Sequence, residues 1–182
     1  MFMTDTANSS FQISLPVTFR LAQKDDLPRL EWFGQYTHYR NVFQRNFRDQ
    51  QAGRRFMLLA DMNGFPIGQI FAQLVFPDAG IVPRGHYVQQ ATAYFYSLRV
   101  MDMFRGHGLG KRLLQEAEQL GKQAGCARGS IAAARDNPRA RRMYERAGYV
   151  VVGEDRGEWS YTDHLGRLRQ RREPCFVLEK YL

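Results

Sequence analysis

A chain of 182 residues, 44% apolar and 24% charged, has the material for one domain with a sizeable core, and is too apolar to be disordered. Its formal net charge of +8 favours anionic partners: nucleic acid, an acidic surface or a phosphate-rich cofactor. No apolar run reaches the roughly 20 residues of a membrane helix, and the opening MFMTDTANSS lacks the basic start and apolar stretch of a secretion signal. Residues 1–10 therefore read as a flexible tail ahead of a single domain over 11–182, in the cytoplasm and with no membrane partner. Cys126 and Cys175 are far apart without CxxC spacing and read as reduced thiols; His38, His86, His107 and His164 are scattered, so no metal is expected.

In chain order, VTFRLA (17–22) alternates apolar and polar residues and predicts a first strand. Asp25 or Asp26 caps a following helical stretch over about 26–52, broken near Gly34. RRFMLLADMNGFPIGQIFAQLVF places Asn63-Gly64 between two apolar runs, the strongest hairpin signal in the chain. Residues 77–90 carry two prolines and two glycines and read as a long loop in which His86 lines an acceptor site. ATAYFYSLRVM (91–101) is aromatic and β-branched and predicts a strand. Next, Leu109, Leu113, Leu114, Ala117, Leu120 and Ala124 share one helical face, closed by Gly125. ARGSIAAA is a short strand. NPRARRMYERAG is a helix with Asn137 as N-cap and Pro138 at its first position. YVVVGEDRGEWSY and EPCFVLEKYL are two final strands joined by a charged segment, 162–173. Hairpins early and strand–helix alternation late predict a mixed α/β sheet covered by helices.

The chemistry concentrates in FRGHGLGKRL (104–113), where three glycines and flanking basic residues open a helix. A helix N-terminus presents unpaired amides and partial positive charge, and glycine lets a ligand approach the backbone, so the segment is an anion cradle suited to phosphate. It is not a P-loop, because Gly110-Lys111 is followed by Arg112 and position 105 is arginine. The spacing Gly106-His107-Gly108-Leu109-Gly110 is also one residue short of a dinucleotide fingerprint.

VMDMFRGHGLGKRLL resembles the pyrophosphate-binding motif of the GCN5-related N-acetyltransferases (GNAT), R/Q-x-x-G-x-G/A after a strand ending in valine. Arg105, Gly108 and Gly110 match its three key positions, with Val100 at the strand end. Downstream, NPRARRMYERAGY resembles the family's N-x-x-A-x-x-x-Y-x-x-x-G-F/Y pattern through Asn137, Ala140, Tyr144, Gly148 and Tyr149. FRLAQKDDLPRL looks like the family's opening strand and helix. The resemblance covers about 17–182 and is specific in 98–149. It implies a mixed, mostly antiparallel six- to seven-stranded sheet flanked by about four helices, with a splay between the fourth and fifth strands.

It also implies transfer of an acetyl group from acetyl-CoA, the co-substrate, to a primary amine in a ternary complex. Arg105, Gly106, His107, Gly108, Leu109, Gly110 and Lys111 would hold the pyrophosphate. Pantetheine would lie in the splay, and a backbone N–H near Leu98 or Arg99 would polarise the thioester. Asn137 and Ala140 would contact the arm, Arg139, Arg141 and Arg142 would reach the 3′-phosphate, and Tyr144 would be the general acid to the leaving thiolate. Many members carry a strand glutamate as base; Tyr94 stands there in this chain. The base is left among Tyr94, Glu31, Glu154, Glu158 and Glu173, or a water chain through Tyr94, Tyr96 or Ser97. Tyr36, Tyr39, Phe43, Phe76, Tyr87, Trp159 and Tyr161 are candidates for the acceptor pocket of a small-molecule or peptide amine. The final two strands are the expected place for homodimer exchange. An acetyl-CoA-binding sensor without turnover is the alternative. Nucleic-acid binding through Arg167, Arg169, Arg171 and Arg172 has no accompanying motif.

Overall fold

The computed structural model describes residues 14–77 and 90–182. The expected tail over 1–10 lies outside these residues, as do His86, Tyr87 and most of the 77–90 loop. Nine strands and three α-helices are present among the described residues: β1 Thr18–Leu21, α1 Arg40–Gln51, β2 Arg55–Met62, β3 Phe65–Val75, β4 Thr92–Val100, α2 Leu109–Gln123, β5 Arg128–Ala134, α3 Pro138–Arg146, β6 Val150–Asp155, β7 Glu158–Thr162, β8 Leu168–Arg172 and β9 Cys175–Tyr181. Seven strands form one sheet in the order β1-β2-β3-β4-β5-β9-β6, and β7 and β8 form a separate hairpin. Every neighbouring pair in the large sheet is antiparallel except β4–β5. This is the mixed, mostly antiparallel sheet expected.

Local chemistry sets the early elements. Asn63 and Gly64 both have positive φ, 52° and 79°, the two-residue turn that matches strand twist, and Asp61 Oδ1 accepts the Gly64 N–H at 2.9 Å. The stretch expected to be helical over 26–52 divides. Only Arg40–Gln51 is α-helix; Lys24–Asp26, Arg29–Glu31 and Thr37–Tyr39 are single 3-10 turns. Three successive positive φ values at Trp32, Phe33 and Gly34 stop helix propagation. Trp32 anchors the segment instead, its Nε1 donating to Pro66 O at 2.9 Å. Asp26 does not cap an α-helix: it accepts the Gln23 N–H at 2.7 Å and pairs with Arg20, which also reaches Asp61 at 2.6 Å.

The sheet buries both faces. On one, α2 and α3 cover a core of Ile67, Ile70, Phe95, Leu113, Leu114, Ile131 and Leu178. On the other, α1 and the N-terminal turns cover Leu30, Phe43, Met57, Leu59 and Phe71. Burial on both faces explains why β2 and β3 read as near-continuous apolar runs.

The last third departs from the sequence reading. YVVVGEDRGEWSY is two strands rather than one, and the charged segment 162–173 contains β8, paired with β7. The break falls at Gly157. A Cβ there would lie about 1.8 Å from the carbonyl oxygen of Glu173, and φ is +65°, so glycine is required twice over. The β7–β8 turn is closed by Asp163, whose Oδ1 accepts the N–H groups of Leu165 and Arg167, both at 2.9 Å, while Oδ2 pairs with Arg169 at 2.7 Å. Asn41 of α1 donates to Asp163 O at 2.6 Å and docks the hairpin on the α1 side.

Candidate active site

A β-bulge opens the site. The β3–β4 register runs Phe71↔Tyr96 and then Gln69↔Arg99, so β4 spends one extra residue, and Ser97 has φ 53°. The extra residue reverses facing. Ala93 and Phe95 pack on the α2 side before it, Leu98 and Val100 after it, and Arg99 joins Tyr96 on the α1 side. Pairing of β4 with β5 ends at Phe95↔Ile131, although both strands run on. The splay between the fourth and fifth strands is therefore present, and its cause is local.

The splay opens into a cavity of about 330 Å³. β4 lines it with Tyr96, Ser97, Leu98 and Arg99, and β5 with Ile131 to Ala134. Asn137, Ala140 and Tyr144 come from α3, and Gly157, Trp159, Glu173 and Cys175 from the hairpin and its return to the sheet. Cys126 and Cys175 are buried, unbridged thiols.

At the end of β4 lies the cradle. Gly108 is the N-cap of α2 with φ 80°, Gly106 has φ 87°, and no neighbour stands within 4 Å of where either would carry a Cβ. The first amide returned to the helix is Arg112, to Gly108 O at 3.0 Å. The amides from Gly106 to Lys111 make no hydrogen bond to the described residues. This is a concave set of free donors at the positive end of a 15-residue helix. Gly110 differs from its partners: its φ is not positive, and a Cβ would meet Met143 Sδ at 3.7 Å and Val100 Cγ2 at 3.8 Å, ordinary contact. Arg105 is folded back, its Nε donating to Val100 O at 3.0 Å and its Nη2 on Asp102 at 2.8 Å. His107 and Lys111 are exposed beside the amides.

In α3, Asn137 Oδ1 accepts the Ala140 N–H at 3.0 Å, and Pro138 occupies the first helical position, so the cap is as read from sequence. Arg139 and Arg142 are exposed and unpaired among the described residues, whereas Arg141 is engaged by Glu145 at 2.8 Å. Tyr144 is 5% exposed, and burial pushes its phenol up to about 12. Its hydroxyl has no hydrogen-bond partner among the described residues. It is also not among the sealed, partnerless atoms, which are Asn46 Nδ2, Glu118 Oε1 and Tyr149 Oη, so it opens to the cavity.

Side chains from distant segments cluster behind Arg99 and Trp159, which line the cavity. Tyr39 lies 6.2 Å from Trp159 and 4.9 Å from Tyr161, and Trp159 lies 5.3 Å from Tyr161. Tyr36 and Tyr39 flank the Arg99 guanidinium. His38 packs among these rings, and burial together with Arg171 and Arg99 pushes its pKa down, so the imidazole is neutral near pH 7. Phe43, by contrast, is a core ring, and Phe76 stands apart at the end of β3.

Of the candidate bases, Glu173 lies on the cavity wall. Glu31 accepts from Arg40 Nε at 2.6 Å and Thr37 Oγ1 at 2.8 Å, and Arg40 holds its carboxyl below the usual range; it is not a wall residue. Glu154 is paired with Arg135, Glu158 faces Arg172 at 3.7 Å, and neither lines the cavity. Tyr94 sits where β4 and β5 are still paired and stacks on Tyr96. Tyr96 does reach the wall; its hydroxyl accepts from Arg55 at 2.7 Å and donates to Asn46 Oδ1 at 3.2 Å. That buried network and the role of Gly157 are absent from the sequence reading. A glycine in EDRGEW looks like any turn glycine until Glu173 is placed against it.

The sequence profile of the acetyltransferase (GNAT) family matches residues 21–149, and the chain belongs to that family. Among curated proteins there is no significant match. Solved structures share the fold. Arabidopsis thaliana NAA60 in complex with acetyl-CoA is 19% identical with a TM-score of 0.68, over 92% of this chain and 99% of that one. The ribosomal-protein-alanine N-acetyltransferase of Brucella melitensis is 18% identical with a TM-score of 0.65, over 91% and 99%. A chain of the NatC complex bound to Gag peptide and CoA is 14% identical with a TM-score of 0.63, over 91% and 98%.

Proposed function

We propose that the chain transfers the acetyl group of acetyl-CoA to a primary amine by direct attack within a ternary complex. The observation that carries this reading is the run of free amides from Gly106 to Lys111 opening beside a splayed strand pair. The amides fit a diphosphate, and the unpaired edges of β4 and β5 fit a pantetheine arm bound as an added strand. Lys111 supplies local positive charge, and Arg105 joins it if released from Asp102. Arg139 and Arg142, exposed on α3, are our candidates for the 3′-phosphate.

Tyr144 serves the leaving thiolate. A phenol near 12 is fully protonated at neutral pH. Handing its proton outright to a thiolate with a conjugate acid near 8.5 would be uphill by about 5 kcal/mol. Its larger contribution is therefore a hydrogen bond to sulfur as charge develops there. Glu173, the carboxylate on the wall, takes the proton from the attacking amine, directly or through water. The peptide-bound fold relatives make a peptide N-terminus one acceptor to test, beside small amines. The alternative, an acetyl-CoA sensor without turnover, draws on the lack of a glutamate at Tyr94; the open Tyr144 hydroxyl favours the enzyme.

Calorimetric titration with acetyl-CoA tests the cofactor half directly. Saturable binding is expected, and Gly108→Glu should weaken it by roughly 1,000-fold, because an anion enters the cradle and a side chain is forced into positive φ. A folded chain that ignores millimolar acetyl-CoA would end this account.

A further inference from the structure

Arg99 stands out among the arginines at the site. The Ser97 bulge turns it to the α1 side, where its guanidinium lies 4.5 Å from the ring centroid of Tyr36 and 4.9 Å from that of Tyr39. Other inward arginines are matched by carboxylates: Arg20 by Asp26 and Asp61, Arg55 by Asp49, Arg128 by Glu179. Arg99 has neither an ion pair nor a side-chain hydrogen bond among the described residues, although Glu173 influences it through space. Burial disfavours its charged form, as it does for Arg20 and Arg128, but in those two a carboxylate hydrogen bond outweighs the burial and Arg99 has none. None of its nitrogens is among the sealed, partnerless atoms. A partly desolvated cation without a counter-ion is costly to fold and is compensated when an anion arrives.

The surroundings point the same way. Arg171 donates to Tyr161 at 3.5 Å, and His38 is neutral near the two arginines. Arg99 and Glu173 are the charged residues that line the cavity, and Arg171 adds positive charge beside Tyr39 and Tyr161. A polycationic acceptor is disfavoured there. An acceptor with one negative group is held, and the nearby positive charge also favours the neutral, attacking form of its amine. The tyrosine faces fix the plane of the guanidinium, which suits two-point recognition of a carboxylate.

Resting on the acetyl-transfer reading above, we infer that the acceptor is an amine that carries a carboxylate, and that the Arg99 side chain, framed by Tyr36 and Tyr39, binds that carboxylate. Two sources offer this chemistry: the α-carboxylate of a free amino acid and an acidic side chain at a peptide N-terminus.

Steady-state acetylation by the full chain tests the inference with matched pairs. Phenylalanine against phenylalaninamide reads the α-carboxylate; the amide has the less basic amine and would win on basicity alone. Peptides beginning with aspartate or asparagine read the side-chain source. In at least one pair the carboxylate partner should show kcat/KM about 10-fold higher or more, the scale of a charged hydrogen-bonded pair. Arg99→Gln should reduce that ratio to about twofold or less, and Arg99→Lys should restore part of it. If the Arg99 variants fail to fold by circular dichroism, 3-phenylpropanoate decides with the unaltered chain. It should inhibit competitively against the acceptor and more strongly than 3-phenylpropanamide. Equal rates within both pairs, a ratio untouched by Arg99→Gln, or equal inhibition by the two phenylpropanoyl compounds overturns the inference. Acetyl-CoA binding with transfer only to amines lacking a carboxylate overturns it while leaving the acetyl-transfer reading intact. Absence of acetyl-CoA binding removes both.

Discussion

The cradle at the start of α2 and the cavity in the splay are built by opposite means. In the cradle the exposed polar groups are main-chain amides, held by one helix start and by glycines whose φ and exposure are properties of a six-residue stretch. At the cavity wall and the ring cluster behind it they are side chains from 36–39, 96–99, 157–161 and 171–173, assembled by a bulge, a hairpin and an asparagine tether. Backbone ligation needs a local conformation and leaves a local trace. Side-chain ligation needs only that distant segments meet, so any one of its residues looks ordinary in the sequence.

The contrast can be tested by damage to each side. Gly157→Ala should do the most harm: its Cβ would collide with the Glu173 carbonyl, so the hairpin must shift. A loss of roughly 3 kcal/mol in urea unfolding is expected, and wild-type stability in that variant would show that the hairpin contact is dispensable. Next, Tyr144→Phe should lower kcat by about 100-fold, or about 2.7 kcal/mol, as for one donor removed from a transition state. A KM for acetyl-CoA that rose instead, with kcat intact, would reassign the hydroxyl to binding.

Smaller effects separate the glycines of the cradle. Gly108→Ala should cost about 1 kcal/mol in stability because its φ is +80°. Gly110→Ala should instead gain about 0.5 kcal/mol, since the helix accepts the methyl. Thermal melts of the pair would read opposite signs; equal losses would contradict the difference in backbone.

The gentlest test is acid. The carboxyl of Asp163 is held down at about 2, first by the Arg167 N–H, and by Arg169 and the Leu165 N–H besides. An unfolded aspartate titrates near 3.9. The stabilisation from this group is therefore complete above about pH 4 and lost as pH falls toward 2. Trp159 fluorescence should report loosening of the hairpin in that window, and Asp163→Asn should remove that part of the pH dependence. A signal that is flat between pH 4 and 2 in the unaltered chain would show that the carboxylate does not hold the turn.

Much was legible before folding. FRGHGLGKRL specified a glycine-rich helix start with free amides, NPRARRMYERAGY specified a capped helix carrying Tyr144, and Asn63-Gly64 specified its turn, because each is decided by φ preferences and amides within a few residues. Less legible was the N-terminal region, where three positive φ values replaced a continuous helix, held by the Trp32 bond to Pro66 across more than thirty residues. Also hidden was β8: LRQRR alternates no apolar residues, and it becomes a strand because Asp163 closes its turn and β7 offers a ladder.

From sequence alone came the sheet class, the cradle and the family resemblance, since conformational preference and periodicity act over short spans of chain. Only the tertiary structure decided which glutamate meets the cavity, which rings face it and that Arg99 reaches it without a counter-ion. Those outcomes depend on a one-residue bulge and a docked hairpin. A shift of one residue reverses the facing of a strand, and nothing in the local composition of β4 fixes which way it falls.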